Sequence, residues 1–281
     1  MKTGLILAGG AMRGMYTAGV LDIFLDENIK VDGMIGISAG AVFGVNFLSR
    51  QKGRVLRYNK RFNGDRNYMG LKPLLCTGNI VDTKYAYHIV PEELDRFDDE
   101  TFRASEIPFY AGITCVETGR AKLVKIDSVF EQMDVLRASA SMPFVSRPVA
   151  LYGQHYLDGD IADGLPYRKM FDMGYDRLIV VLTREAGYQK KPVSPVMVRM
   201  RYGRYKEFAA ALSGRHERYN SSVNELLELQ KKGGVYVIAP TEPITIGRIE
   251  KDPDRLEQVY TLGLRDGRAA VCGLKKEFLK R

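Results

Sequence analysis

A serine with glycines two positions before and two after it stands at Gly36-Ile37-Ser38-Ala39-Gly40. The G-x-S-x-G spacing suits a nucleophile. A strand turns sharply into a helix, and the serine sits at the bend with its hydroxyl exposed. Gly36 and Gly40 let strand and helix pack without Cβ collisions. The helix N-terminus aims backbone N–H groups at a developing oxyanion. About 0.1 such matches arise by chance at this Gly and Ser content. The setting adds weight: an apolar run precedes the motif and small residues follow it. The competing reading is a tight turn whose serine caps a helix.

A second candidate is the Gly-rich stretch Gly9-Gly10-Ala11-Met12-Arg13-Gly14. Minimal side chains let several N–H groups point inward, which suits an oxyanion or a phosphate. Arg13 can orient the loop or attract a phosphate head group. The same loop opens a rival reading, because Leu7 to Arg13 resembles the start of sugar nucleotidyltransferases. Those enzymes carry a lysine a few residues on, and here none occurs before Lys30.

A serine nucleophile needs a proton acceptor. The three histidines are His88, His155 and His216. His216 lies in Arg215-His216-Glu217-Arg218, which reads as a solvated helix face. His155 precedes Asp158 by three residues on an apparent strand, so the two face opposite sides. A direct Ser–Asp dyad is the alternative. A carboxylate has an ordinary pKa near ~3.9. Partial desolvation and a hydrogen bond to the serine let it accept the proton. Asp158 ends a strand just before Gly159, at the C-terminal mouth of a sheet. As a bare dipeptide Asp-Gly is a turn signal, and it recurs at Asp32, Asp163 and Asp266.

The elements that must position these residues follow from patterning. Residues 4–8 form a short apolar strand, followed by a loop over 9–13 and a helix over 14–27. Val20 and Phe24, and Leu21 and Leu25, pair at i, i+4 on that helix. Residues 31–37 form a second strand, and 39–48 a second helix. Strand, loop, helix, strand, turn, helix begins an α/β fold with a parallel sheet. Residues 50–100 are mixed and charged, with turn signals at Asn63-Gly64 and Thr77-Gly78-Asn79. Strands are predicted over 109–117, 122–126, 155–157, 177–183 and 235–239. Helices are predicted over 133–140, 198–212, 215–231 and 255–279. Two prolines between 189 and 195 mark a composition shift.

Three pieces in order, Gly9 to Gly14, Gly36 to Gly40 and Asp158-Gly159-Asp160, resemble the motifs of the patatin-like phospholipase family: G-G-G-x-R-G, G-x-S-x-G and D-G-[GA]. The stretch Arg137-Ala138-Ser139-Ala140-Ser141-Met142-Pro143 resembles the family's A-S-x-x-x-P. The resemblance covers residues 4–185, and the tail resembles the helical extension of a bacterial subgroup. It implies a three-layer α/β/α sandwich with a mostly parallel central sheet. It also implies a catalytic unit over 1–188 and a mainly helical extension over 189–281 packed on it. The implied activity is hydrolysis of lipid carboxylic esters, with no cofactor and no metal. Ser38 would attack and Asp158 would act as base. Gly9, Gly10, Ala11 and Ala39 would offer oxyanion N–H groups. Arg13, Gly14, Gly36, Gly40 and Gly159 would support them. Two departures stand out. Ala11 replaces a glycine and restricts φ. Asp160 replaces a glycine beside the base; facing inward, its charge would raise the pKa of Asp158, but the expectation is that it faces solvent or ends the turn.

The 281 residues suffice for one large α/β domain. The net charge of +8 speaks to partners rather than fold. The charges are dispersed, which argues against nucleic acid and leaves peripheral contact with an anionic membrane open. Cys76, Cys115 and Cys272 form no C-x-x-C pair and suit a reducing cytoplasm. No apolar run reaches the ~18 residues of a membrane span. Oligomeric state is not legible. Three functions stand side by side: the lipid esterase, a nucleotide binder using the Gly9–Arg13 loop, and a non-catalytic binder of lipid surfaces.

Overall fold

The computed structural model describes residues 1–278. Its strands are β1 (Thr3–Leu7), β2 (Gly33–Ile37), β3 (Phe109–Cys115), β4 (Ala121–Ile126), β5 (Val149–Leu151), β6 (Gln154–Asp158), β7 (Arg177–Val181) and β8 (Val235–Ile238). Its α-helices are α1 (Met15–Asp26), α2 (Ala39–Leu48), α3 (Arg54–Phe62), α4 (Leu71–Thr77), α5 (Asp99–Arg103), α6 (Met133–Ser139), α7 (Tyr167–Asp172), α8 (Pro195–Tyr202), α9 (Lys206–Ser213), α10 (Arg215–Lys231) and α11 (Pro253–Gly273).

The strands form one eight-stranded sheet with a parallel core in the order β3-β2-β1-β7-β8. β4 and β6 pair antiparallel with β3, and β5 with β6. Helices cover both faces, so the core strands are apolar on both sides. Leu5 and Leu7 of β1 face a layer with Tyr16 of α1, Phe43 of α2 and Tyr260 of α11. Ile6 faces the opposite layer, with Met170 of α7 and Leu226 of α10. This is the α/β/α sandwich with the mostly parallel sheet that the sequence implies. The segment after residue 189 enters the same body: β8 extends the sheet beside β7, and α11 packs along α1.

One feature of the sheet positions the site. β2 runs parallel to β3 and ends with Ile37 opposite Gly112. β6 runs antiparallel to β3 and ends with Asp158 opposite Ile113. β4 occupies the other edge of β3 over Phe109 to Thr114, so β2 and β6 share one edge. They approach along it from opposite directions and meet head to head. The residue after Ile37 is Ser38.

The structure corrects several expectations. Residues 50–100 are largely helical, carrying α3, α4, a wider π-type helix over Tyr85–Leu94 and the first residues of α5. α3 is amphipathic, with Val55, Tyr58, Asn59 and Phe62 buried at helical spacing, but it is only nine residues long; α4 has seven residues, and the π-type helix contains Pro91 and winds off the 3.6-residue period. The helix predicted over 198–212 is two helices, α8 and α9, separated at residues 203–205, where Gly203 interrupts the pattern. The strand β5 has three residues and no pattern of its own. The helix predicted over 255–279 begins at Pro253 and passes into a π-type turn over Leu274–Phe278, and residue 279 lies outside the described residues. Among the described residues, no helix is long and apolar enough to cross a membrane.

α1 and α11 cross with backbones almost touching. A Cβ on Gly263 would lie 2.1 Å from the Tyr16 carbonyl oxygen. Backbone cannot give way as a flexible side chain does, and overpacking typically costs about 1–3 kcal/mol. Gly263→Ala is therefore expected to lower the thermal midpoint by several degrees. An unchanged melting curve would contradict this helix crossing.

Candidate active site

Ser38 is the N-cap of α2 and has φ 55° and ψ −121°. A non-glycine residue there stores about 1–3 kcal/mol of strain. The strain projects the side chain from the bend between β2 and α2. The glycine after the bend is required by contact: a Cβ on Gly40 would lie 2.2 Å from the Leu7 carbonyl oxygen. Gly36 lies in β2 against this same turn.

The Ser38 hydroxyl donates to Asp158 Oδ2 at 2.8 Å. Both residues are buried. Asp158 is held on every side. Its Oδ1 accepts the Asp160 N–H at 3.0 Å, its N–H donates to the Ser141 carbonyl at 2.9 Å, and its own carbonyl accepts from Thr114 Oγ1 at 2.9 Å. The Ser38 N–H donates to Ser139 Oγ at 3.0 Å. Ser139 and Ser141 belong to the Arg137–Pro143 stretch, whose resemblance was legible in sequence; these bonds give it a physical purpose.

The loop after β1 completes the surroundings. Gly9, Gly10, Ala11 and Arg13 share a recess with Ser38 and Asp158. Thr183 Oγ1 donates to the Gly9 carbonyl at 2.6 Å and fixes the loop. Among the described residues, no protein acceptor engages the N–H of Gly9 or Gly10. Ala11 to Gly14 form a 3-10 turn. Ala11 has φ 50°, a conformation that suits glycine, so the alanine there adds strain. Ala39 opens α2, where first-turn N–H groups lack intrahelical partners. Gly159 follows Asp158 in a short 3-10 turn. Arg13 is partly buried, and its guanidinium is pulled down to about 10 by burial and by nearby Arg184 and Arg248.

Asp160 contradicts its expectation. It is buried rather than solvent-facing. Lys190 Nζ reaches its Oδ2 at 2.8 Å, and Arg215 forms a second ion pair with the same oxygen. Burial alone would raise the Asp160 carboxyl, yet Arg215 and Lys190 hold it well below the usual carboxylate range. Lys190 is itself pulled down to about 8, because burial and Arg215 outweigh its attraction to Asp160. Arg215 is thus the main counter-ion. These two cations lie 30 and 55 positions away and were not singled out from the sequence. The available signal was a charged residue at position 160, two past Asp158, where the resemblance has a small residue; a carboxylate held there needs partners if the turn is buried.

Burial pushes the Asp158 carboxyl up to about 6. The Asp160 charge adds to the rise, and Arg215 and the bonds from Asp160 and Ser38 oppose it. No histidine substitutes for it. His88 contacts Glu92, His155 contacts Glu117, and His216 contacts the Ser213 carbonyl. Among the described residues, no group of three or more His, Cys, Asp or Glu side chains is placed to hold a metal ion.

An apolar cavity opens beside Ser38, with about 1030 Å³ of empty space including its mouth. Val42, Phe43, Tyr58, Met69, Val90 and Leu136 line it. Part of its wall therefore comes from the helical region that the sequence left unresolved.

A doubly covered α/β sheet with a serine at a strand-to-helix bend and a carboxylate in contact defines a hydrolase-like class of site. The comparisons place the chain within that class. A family model described as Patatin-like phospholipase matches residues 5–171, more than half of the sequence, and the chain belongs to that family. A model described as a domain of unknown function (DUF6363) matches residues 205–278. The chain is similar to uncharacterized protein YjjU of Escherichia coli, at 29% identity over 65% of this chain and 52% of YjjU. It is also similar to lysophospholipase nte1 of Emericella nidulans, at 27% identity over 63% of this chain and 12% of nte1. The chain thus corresponds to about half of the first relative and a small part of the second. Among solved structures, VipD from Legionella pneumophila aligns with a TM-score of 0.48 and 13% identity, covering 97% of this chain and 67% of VipD. The family match takes in the Gly9–Arg13 loop and leaves the nucleotidyltransferase reading without support.

A carboxyl raised by burial weakens the fold once it ionises. Its stabilising contribution is complete below the unfolded value near 3.8 and is lost as pH rises through about 6. Asp158→Asn keeps the shape and removes the charge. It is expected to stabilise the protein at pH 8, by up to about 3 kcal/mol. The gain in thermal midpoint at pH 8 should exceed that at pH 5. Equal shifts at the two pH values would contradict the desolvated carboxylate.

Proposed function

We propose that this protein is a serine acyl hydrolase that cleaves carboxylic esters of lipids. Ser38 is its nucleophile and Asp158 its general base. The observation that carries the reading is the buried 2.8 Å contact between the two side chains, beside an apolar cavity. Ser38 Oγ attacks the ester carbonyl as its proton passes to Asp158. The oxyanion is held by N–H groups of Gly9, Gly10, Ala11 and Ala39. The tetrahedral intermediate collapses, the ester C–O bond breaks, and Asp158 returns its proton to the leaving alcohol. Water then gives a proton to Asp158 and attacks the acyl-enzyme. The carboxylic acid leaves, and Ser38 regains its proton. The acyl chain occupies the apolar cavity. Residues 1–188 carry this chemistry, and the segment from 189 supplies charges that tune it.

We also propose peripheral contact with membranes, made by α4 and α8. Leu71 and Leu75 on α4 are 74% and 83% exposed, and Met200 on α8 is 83% exposed, between Arg199 and Arg201. Both helices are tied to the segment over 142–147 that borders the cavities. Ile80, just past α4, donates to the Val145 carbonyl, and the Tyr202 hydroxyl of α8 accepts the Phe144 N–H. Apolar side chains flanked by arginine suit an anionic bilayer.

Hydrolysis of a short-chain ester is expected to vanish in Ser38→Ala, to fall at least a hundredfold in Asp158→Asn and to persist in His216→Ala. The wild-type kcat/KM should rise with pH through about 6, as Asp158 ionises. Undiminished turnover in Ser38→Ala would reject the reading. Binding to anionic vesicles should weaken with salt and fall in the double variant Leu75→Asp/Met200→Asp. Binding indifferent to that pair would reject the proposed surface.

A further inference from the structure

Ser38 faces two cavities of opposite character. The apolar one is described above. The other, with about 610 Å³ of empty space, shares Ala11, Ser38, Met142 and Arg248 with it. Five cations line this recess: Arg13, Arg184, Lys190, Arg215 and Arg248. Two carboxylates, Asp158 and Asp160, face them. Five minus two leaves +3 with both acids ionised. Lys190 and Arg215 are committed to Asp160. Among the described residues, Arg13, Arg184 and Arg248 have no ion-pair partner. The Nε atoms of Arg13 and Arg184 are buried without a hydrogen bond, and Arg184 spends Nη1 on the Ile244 carbonyl at 2.9 Å.

Three unpaired guanidinium groups around one partly buried recess repel one another. Burial and this repulsion lower Arg13. An anion with several oxygens relieves both effects, and guanidinium forks match phosphate oxygens in pairs. The aromatic faces of the recess add a second constraint. The Arg184 guanidinium lies over the Tyr188 ring at 4.6 Å, and Lys190 Nζ lies over the Tyr219 ring at 3.9 Å. The protein's own cations cover the rings that would otherwise receive a quaternary ammonium group.

We propose that this recess, built by Arg13, Arg184 and by Arg248 at its border with the apolar cavity, binds a phosphate monoester carried by the alcohol portion of the lipid ester, and selects anionic over zwitterionic head groups. The proposal rests on the acyl-hydrolase reading and adds the head-group class. Arg184 and Arg248 both lie beyond residues 5–171, so the selecting residues come from outside the segment matched by the patatin-like model.

The test compares three single-chain substrates with the same acyl group, presented in the same neutral detergent micelles: 1-oleoyl-glycerol 3-phosphate, its phosphocholine analogue and uncharged monooleoylglycerol. The wild type is expected to favour the phosphate monoester over the other two by at least tenfold in kcat/KM. Arg248→Gln and Arg184→Gln should each reduce that ratio at least tenfold, and Arg248→Lys should restore part of it. Inorganic phosphate should compete with the phosphate lipid, raising KM and leaving kcat unchanged. Equal turnover of the three lipids by the wild type would overturn the proposal while leaving the acyl-hydrolase reading intact. Failure to cleave any of them, or a short-chain ester, would instead remove the reading beneath it. Phosphate that lowers kcat for charged and neutral lipids alike, with KM unchanged, would mark a free-anion regulator and overturn the head-group assignment.

Discussion

The site depends on one edge of β3. Two strands use that edge in succession, β2 from one end and β6 from the other. Their termini fall opposite consecutive residues, Gly112 and Ile113. Chain positions 38 and 158 are thereby brought into contact by sheet register rather than by loop flexibility. A slip of one residue in β6 would turn Asp158 to the other face of the sheet. Thr114, one residue further along β3, bonds to the Asp158 carbonyl and reinforces that register.

Register sets the distance, and burial sets the chemistry. A carboxylate in water is too weak a base for a serine hydroxyl. Here desolvation raises Asp158, and the neighbouring charge of Asp160 raises it further. Asp160 in turn remains ionised only because Arg215 and Lys190 reach it from the C-terminal segment. The tail therefore acts on the Asp158 carboxyl through electrostatics while making no bond to it. The same site carries strain at Ser38 and Ala11. Strain and a desolvated charge both lower stability, a common trade against function.

Much of this was legible in the sequence, for identifiable reasons. β1, β2, β3 and β7 are short apolar runs, since both faces of a parallel sheet are covered. Gly36 and Gly40 bracket Ser38 because backbone passes within contact of that turn. Asp158 was recognisable from its place before Gly159 at a strand end. Other features depend on distant partners and leave no local trace. Asp160 looked like a turn residue because its counter-ions lie at 190 and 215. The helices between 50 and 100 that wall the apolar cavity are α3, only nine residues long, and a π-type helix through Pro91 that does not follow the 3.6-residue period. Arg184 and Arg248 are ordinary surface arginines in sequence, and only the fold gathers them with Arg13.

In the proposed reaction, Ser38 is an activated nucleophile whose activation comes from Asp158 alone. Labelling with a fluorophosphonate probe, followed by peptide mapping, tests it most directly. One modified residue is expected, Ser38, labelled rapidly in the wild type and in a variant lacking all three histidines, and at least a hundredfold more slowly in Asp158→Asn. Modification at another residue, or a labelling rate unaffected by loss of the Asp158 carboxylate, would contradict it.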